Sequence, residues 1–162
     1  MFRFIFQFGV SSGVFLFSSL VAWYEGSALL EHPSEWRSST PFTQLLHGPG
    51  PVHSFSHISQ WDFFVYAAKY EPTFPMMMTV SGLYLLIFLG YYIFKKASKW
   101  YAYYLFLISC SLFLLGYFCF ESSTDGTQKM FVLFSGSGLV CMLIGFIFYL
   151  MASIRMKRMT TD

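Results

Sequence analysis

All four histidines of the chain, His32, His47, His53 and His57, fall in one polar stretch together with Glu25, Glu31, Glu35 and Asp62. Neutral imidazole and carboxylate are suitable zinc ligands, so His47, His53, His57 and Asp62 are the candidate metal residues. His53 and His57 share a face only if the chain between them is helical, and the Pro49-Gly50-Pro51 turn just before them works against that. The order H-E-x-x-H, which puts two ligands and a general base on one helix face, is absent, so a hydrolytic metal centre is not expected. Histidines beside carboxylates also titrate near neutral pH, which makes pH sensing the companion reading. Ordinary hydrogen-bonded or solvated loop histidines would give the same pattern, because loops collect polar residues whatever their task.

Other chemistry is not encoded in any familiar order. There is no GxxxxGK[ST] phosphate loop and no GxSxG elbow, and the Gly136 and Gly138 pair lies in an apolar run, not after a strand. No basic stripe suits nucleic acid. Cys110, Cys119 and Cys141 form no CxxC pair and read as small apolar residues. No catalytic residue and no cofactor is therefore expected, and the chain reads as a non-enzyme.

The elements that must carry the polar stretch are set by charge. Residues 4–24, 76–94, 100–120 and 130–154 contain no charged side chain, and each run is long enough to cross a bilayer. In hydrocarbon every backbone group must be satisfied within its own segment, so these runs must be helices. With 162 residues, 56% apolar and 11% charged, the chain is expected to form a single membrane domain, 1–162. The fold class is an all-α membrane protein, a four-transmembrane-helix bundle with a folded, partly helical external loop between helices 1 and 2. Ionisable groups are absent from the spans, which removes the equipment of proton relays, ion pathways and intramembrane proteases.

Arg3, Lys95, Lys96, Lys99, Arg155, Lys157 and Arg158 fall on one side of this arrangement, while Arg37, Lys69 and Lys129 share the other with Glu25, Glu31, Glu35, Asp62, Glu71, Glu121 and Asp125. The positive-inside rule then makes both termini cytoplasmic in a plasma membrane and leaves residues 25–74 outside. A cleaved signal peptide ending at Ala22 or Ala28 is the rival reading; the apolar run is long for one, and neither alanine has a small-x-small context. Trp23, Tyr24, Tyr91, Tyr92, Trp100, Tyr101, Tyr103 and Tyr104 sit at the predicted interfaces as anchors.

Within the external loop, Thr40 then Pro41 signals a helix start and Gly48 then Pro49 a stop, predicting a helix over 41–47. Ser59 and Asp62 form a capping-box-like start and Pro72 an end, predicting a second helix over 60–71. On it Trp61, Phe64, Val65 and Ala68 share one face and Asp62, Tyr66 and Lys69 another, the spacing of a helix on the bilayer surface, covering the bundle mouth, or docking a partner. In the spans, Gly9 with Gly13, and Ser135, Gly138, Cys141 and Gly145, form small-residue stripes that let helices approach. Internal packing is the preferred role of these stripes. Gly9, Gly13, Gly138, Gly145, Trp61 and Phe64 are the candidates for an interface with another membrane protein or a second copy.

The runs Trp23-Tyr24-Glu25-Gly26-Ser27-Ala28-Leu29-Leu30, Glu35-Trp36, Ser39-Thr40-Pro41-Phe42 and Gln60-Trp61-Asp62-Phe63-Phe64-Val65-Tyr66-Ala67-Ala68-Lys69 carry a family likeness. The chain resembles an uncharacterised family of small multi-pass membrane proteins, a domain of unknown function, from Gram-positive endospore-forming bacteria. The resemblance implies a plasma-membrane location and no known activity, so it supplies no catalytic residues. The outline of four spans and a large first external loop is similar to that of claudins, but the paired loop cysteines and Gly-Leu-Trp pattern of that family are missing.

The function expected from these residues is a non-catalytic accessory or envelope-associated role exercised through the external loop and the bundle surface. Its partners are the lipid bilayer and another membrane protein or a homo-oligomer, with no nucleic acid. A sensor or metal-binding protein using loop histidines and carboxylates is the alternative. A small-solute channel formed by oligomers is a third, for which the span serines and tyrosines supply only a thin polar lumen.

Overall fold

A computed structural model of the protein describes residues 2–48, 57–95, 98–120 and 124–159. The elements among them are helical: α1 (Phe2–Gly26), α2 (Trp36–Ser39), α3 (Pro41–His47), α4 (Trp61–Tyr70), α5 (Thr73–Ile93), α6 (Ser98–Phe120) and α7 (Asp125–Met159). Two short 3₁₀ segments, Ser27–Glu31 and Pro33–Glu35, link α1 to α2. Helices α1, α5, α6 and α7 are long and apolar enough to cross a membrane. Each matches one of the four uncharged runs to within five residues at either end, α5 stopping one residue short of its run at Ile93. The helices expected at 41–47 and 60–71 are present as α3 and α4. Local signals explain the first: Pro41 opens α3, and Gly48, at a φ of 86°, closes it in a conformation that favours glycine.

Contacts group the chain into two compact units. The first comprises Met1–Gly82 and Ser123–Lys129. In it, α1 buries Ser18, Ala22 and Gly26, which recur every fourth residue on one face. Helix α4 lies against the end of that face. A Cβ built on Gly26 would stand 2.0 Å from the Phe63 carbonyl oxygen, and the Trp23 and Phe63 rings are 6.3 Å apart. Gly26 is an ordinary right-handed helical residue, with φ −65° and ψ −22°, so the glycine supplies room and not backbone freedom. Phe17 packs edge-on against Phe74 at 6.1 Å, and the Phe15 ring fills the space beside Gly82. Leu29, Ile58, Phe63 and Tyr66 form a small apolar core, joined by Ala28 and Trp36. The first turn of α7 crosses α4 so closely that a Cβ on Gly126 would meet the Lys69 and Ala68 carbonyl oxygens at 2.2 and 2.6 Å.

The second unit comprises Leu83–Ser122 and Met130–Asp162. Helices α6 and α7 meet there through the stripe of Ser135, Gly138, Cys141 and Gly145: Gly138 lies against Leu112 and Phe113, and Gly145 against Ala102 and Leu105. Ser109 Oγ donates to the Gly138 carbonyl at 2.8 Å. Close approach of small residues is what drives helix association where the surroundings are as apolar as the helix. The Tyr104 ring covers Gly90, and its hydroxyl donates to the Leu86 carbonyl at 3.1 Å, tying α5 to α6.

Candidate functional site

The polar residues converge in the segment between α1 and α5, and Asp62 is its centre. This residue stands in the first turn of α4 with none of its surface exposed. Its Oδ1 accepts from the Phe42 backbone N–H at 2.8 Å, and its Oδ2 accepts from the Thr43 N–H at 2.9 Å and the Thr43 hydroxyl at 2.6 Å. The Thr43 hydroxyl oxygen in turn accepts from the Ser59 N–H at 2.8 Å. The first N–H groups of a helix have no partner within it and attract negative charge. Asp62 therefore caps α3 from another helix.

That arrangement corrects two local readings. Thr40 occupies the N-cap position of α3, but its hydroxyl donates back to the Trp36 carbonyl. Asp62 does not close a capping box with Ser59; the N-cap of α4 is Gln60, with no side-chain hydrogen bond. Thr40 turns back to a neighbour four residues earlier, and the α3 N–H groups are met instead by Asp62, which tertiary packing brings across about 20 residues.

At the other end of α4, Lys69 Nζ donates to the Ser38 carbonyl at 2.9 Å and lies 3.2 Å from Ser39 Oγ, holding the C-terminal end of α2. Burial pushes the Lys69 ammonium below the usual lysine range, and attraction to Glu35 partly opposes this. Glu35 Oε2 accepts from the Tyr70 hydroxyl at 2.6 Å and from Ser38 Oγ at 3.1 Å. The Tyr70 and Ser38 bonds hold the Glu35 carboxyl below its ordinary range, and the same Glu35 bond leads the causes that push Tyr70 up to about 12. Trp36 Nε1 donates to the Leu29 carbonyl at 2.8 Å. His32 Nδ1 is 2.9 Å from the Ala28 carbonyl, and its ring stacks on Tyr66 at 6.3 Å. Burial first, then Glu35, raises the Tyr66 phenol.

The Glu35–Tyr70 tie has a definite pH window. A lowered carboxyl contributes stability above its unfolded value, about 4.3, that is lost as pH falls through the folded value. A raised phenol contributes stability that is complete below about 10 and is lost as pH rises toward about 12. After correction for intrinsic exchange, amide protection over residues 33–39 is therefore expected to be flat between these limits and to fall on both sides. Tyr70→Phe should abolish the alkaline loss and weaken protection at neutral pH; unchanged exchange in that variant would show that the tie holds nothing.

Among the described residues no three His, Cys, Asp or Glu side chains lie together as a metal site. His53 and the side chain of His47 lie outside the described part, and His57 is exposed. Both Asp62 oxygens already accept hydrogen bonds. Glu25 keeps its Oε2 buried without a hydrogen-bond partner among the described residues, and the charge nearest in effect is Glu71, of like sign. Of the interface candidates, Gly138 and Gly145 pack on α6 inside the chain, whereas a Cβ on Gly9 or Gly13 would meet nothing within 4 Å. The stripe of α1 that does pack, Ser18, Ala22 and Gly26, has the same four-residue spacing and was not singled out from sequence.

Helix α4 also turns differently from its pattern. The residues it buries are Asp62, Phe63, Tyr66 and Ala67, while Trp61 is 66% exposed and Phe64 half-buried, their rings 6.3 Å apart. The face that carries Asp62 and Tyr66 goes inward because Asp62 finds hydrogen-bond donors there and the Tyr66 ring joins the apolar core.

No solved structure matches the chain. Among known proteins it is similar to "Uncharacterized protein YjdJ" of Bacillus subtilis (strain 168), 42% identical over 80 residues that span 49% of this chain and 73% of that protein. Residues 5–94 match the domain of unknown function DUF4306, a stretch running from α1 to the end of α5 that contains the whole Asp62, Lys69 and Glu35 network. The chain belongs to the DUF4306 family.

Proposed function

We propose that this protein is a multi-pass plasma-membrane protein with both termini cytoplasmic, and that its α1–α5 segment is a non-catalytic, outward-facing docking element for another membrane protein. The observation that carries this reading is the use made of the segment's charges. Asp62 caps α3, Lys69 closes α2 and Glu35 binds Tyr70 and Ser38. Each of these three charges secures backbone or hydroxyl groups of the segment itself, which is the work of a scaffold and not of a reaction centre. The basic residues at the opposite helix ends support the orientation. The open Gly9 and Gly13 face of α1 supplies a second contact surface.

The test is mild-detergent purification of the tagged chain from native membranes, with metal analysis of the same sample. A membrane protein recovered in fixed ratio is expected. That ratio should fall when Asp62→Ala disorders the segment and should hold when His47, His53 and His57 are replaced together by alanine. A stoichiometric metal lost with those histidines would replace this reading by the sensor or metal-binding one.

A further inference from the structure

The segment between α1 and α5 presents large apolar side chains that its own fold leaves uncovered. In α3, Thr43 turns inward to Asp62, while Leu45 is 82% exposed, Leu46 68% and Phe42 43%. Trp61, next in sequence to the same Asp62, is 66% exposed. Because Asp62 binds the backbone of Phe42 and Thr43, these residues belong to one rigid corner, where α3 begins and α4 begins. From Phe42 to Gly48 the chain carries no acid, lysine or arginine.

We infer that this corner is inserted into the outer leaflet of the protein's own bilayer, with Leu45, Leu46 and Trp61 as the groups in contact with phospholipid. The inference rests on the membrane-spanning reading of α1. The uncharged run of α1 extends to Tyr24, and Leu20, Trp23 and Tyr24 on it are 67%, 40% and 74% exposed. Lipid covering that run reaches the level of Trp23, and Phe63 of α4 touches Trp23 at 6.3 Å. Helix α4 therefore packs on α1 through the buried Phe63 at the depth where tryptophan and tyrosine prefer to lie. The exposed residues described on α3, Pro41, Phe42, Leu45 and Leu46, are all apolar and have no acid, lysine or arginine beside them on that helix, the composition of a lipid-facing surface and not of a water-washed one.

The experiment uses the full chain in phosphatidylcholine vesicles, with Cys110, Cys119 and Cys141 replaced by alanine. A bimane label is placed in turn on Leu45→Cys, Trp61→Cys, Leu20→Cys and Glu31→Cys. All four native side chains are exposed, so none of these changes opens the packed core. Labels at 45 and 61 are expected to show blue-shifted emission and to lose most of it to brominated phospholipid, as the label at 20 does, while the label at 31 responds to aqueous iodide instead. Iodide quenching at 45 and 61 with lipid quenching at 20 would overturn the inference and leave the spanning reading intact. Iodide quenching at 20 as well would overturn both. Shielding at 45 and 61 that disappears on dilution of protein into excess lipid would assign the corner to a second copy of the chain, and the inference would fall.

Discussion

Asp62→Ala is expected to release α3 and to cost the folded segment about 3–5 kcal/mol. The substitution deletes the acceptor of three hydrogen bonds at 2.6 to 2.9 Å, two of them in fully buried surroundings. Bonds to an ionised acceptor contribute about 1.5–3 kcal/mol each, and donors left dry lose the full value of their hydration. The contributions do not add in full, because the segment can open and let water reach Phe42 and Thr43. The loss should appear as rapid hydrogen exchange over residues 41–47 and as protease cleavage there, with α6 and α7 protected as before. Asp62→Asn separates charge from shape: with the amide oxygen in the Oδ2 place both Thr43 donors are kept, but the amide NH₂ then faces the Phe42 N–H, so this variant should fall between wild type and alanine. Wild-type protection of α3 in Asp62→Ala would refute the cap.

Gly26→Ala is the second large effect, expected to destabilise the packing of α4 on α1 by about 3 kcal/mol or more. The added methyl would lie 2.0, 2.4 and 2.8 Å from the carbonyl oxygen, carbonyl carbon and Cα of Phe63. All three are backbone atoms, so no side-chain rotation relieves the clash, and α4 must move away with Phe63 and Tyr66 of the apolar core. Gly9→Ala and Gly13→Ala are the controls. Nothing stands within 4 Å of either added methyl, and alanine favours the helix over glycine by up to about 1 kcal/mol. Loss of the Trp23–Phe63 contact, read from tryptophan emission and thermal unfolding in nanodiscs, should follow Gly26→Ala alone. Equal behaviour of the three variants would remove Gly26 from its assigned place.

These two positions also mark where reading the chain succeeded and where it stopped. Pro41, Gly48 and Pro72 punctuate the backbone by their own stereochemistry, so the limits of α3 and α4 were legible in advance. The same holds for the four uncharged runs. By contrast, Gly9–Gly13 and Ser18–Ala22–Gly26 are stripes of one kind on one helix. Spacing alone cannot say which one meets a neighbour, and the structure shows that it is the latter. Asp62 and Tyr66 read as the wet face of α4 by residue type, yet both are buried. A polar side chain goes inside when its partners are already there: α3 contributes the donors that Asp62 needs, and Leu29 of the first 3₁₀ segment contributes apolar surface to the Tyr66 ring.

By itself the sequence determined which stretches become helices, where they stop, and that four of them are apolar and long enough to cross a membrane, because each of these depends on residues within a turn or two of one another. Only the tertiary structure decided that Asp62 meets Phe42 across 20 residues, Lys69 meets Ser38 across 31 and Tyr70 meets Glu35 across 35. Such pairs are chosen by the close approach of packed helices, here permitted by the missing side chain of Gly26, and no local pattern contains that information.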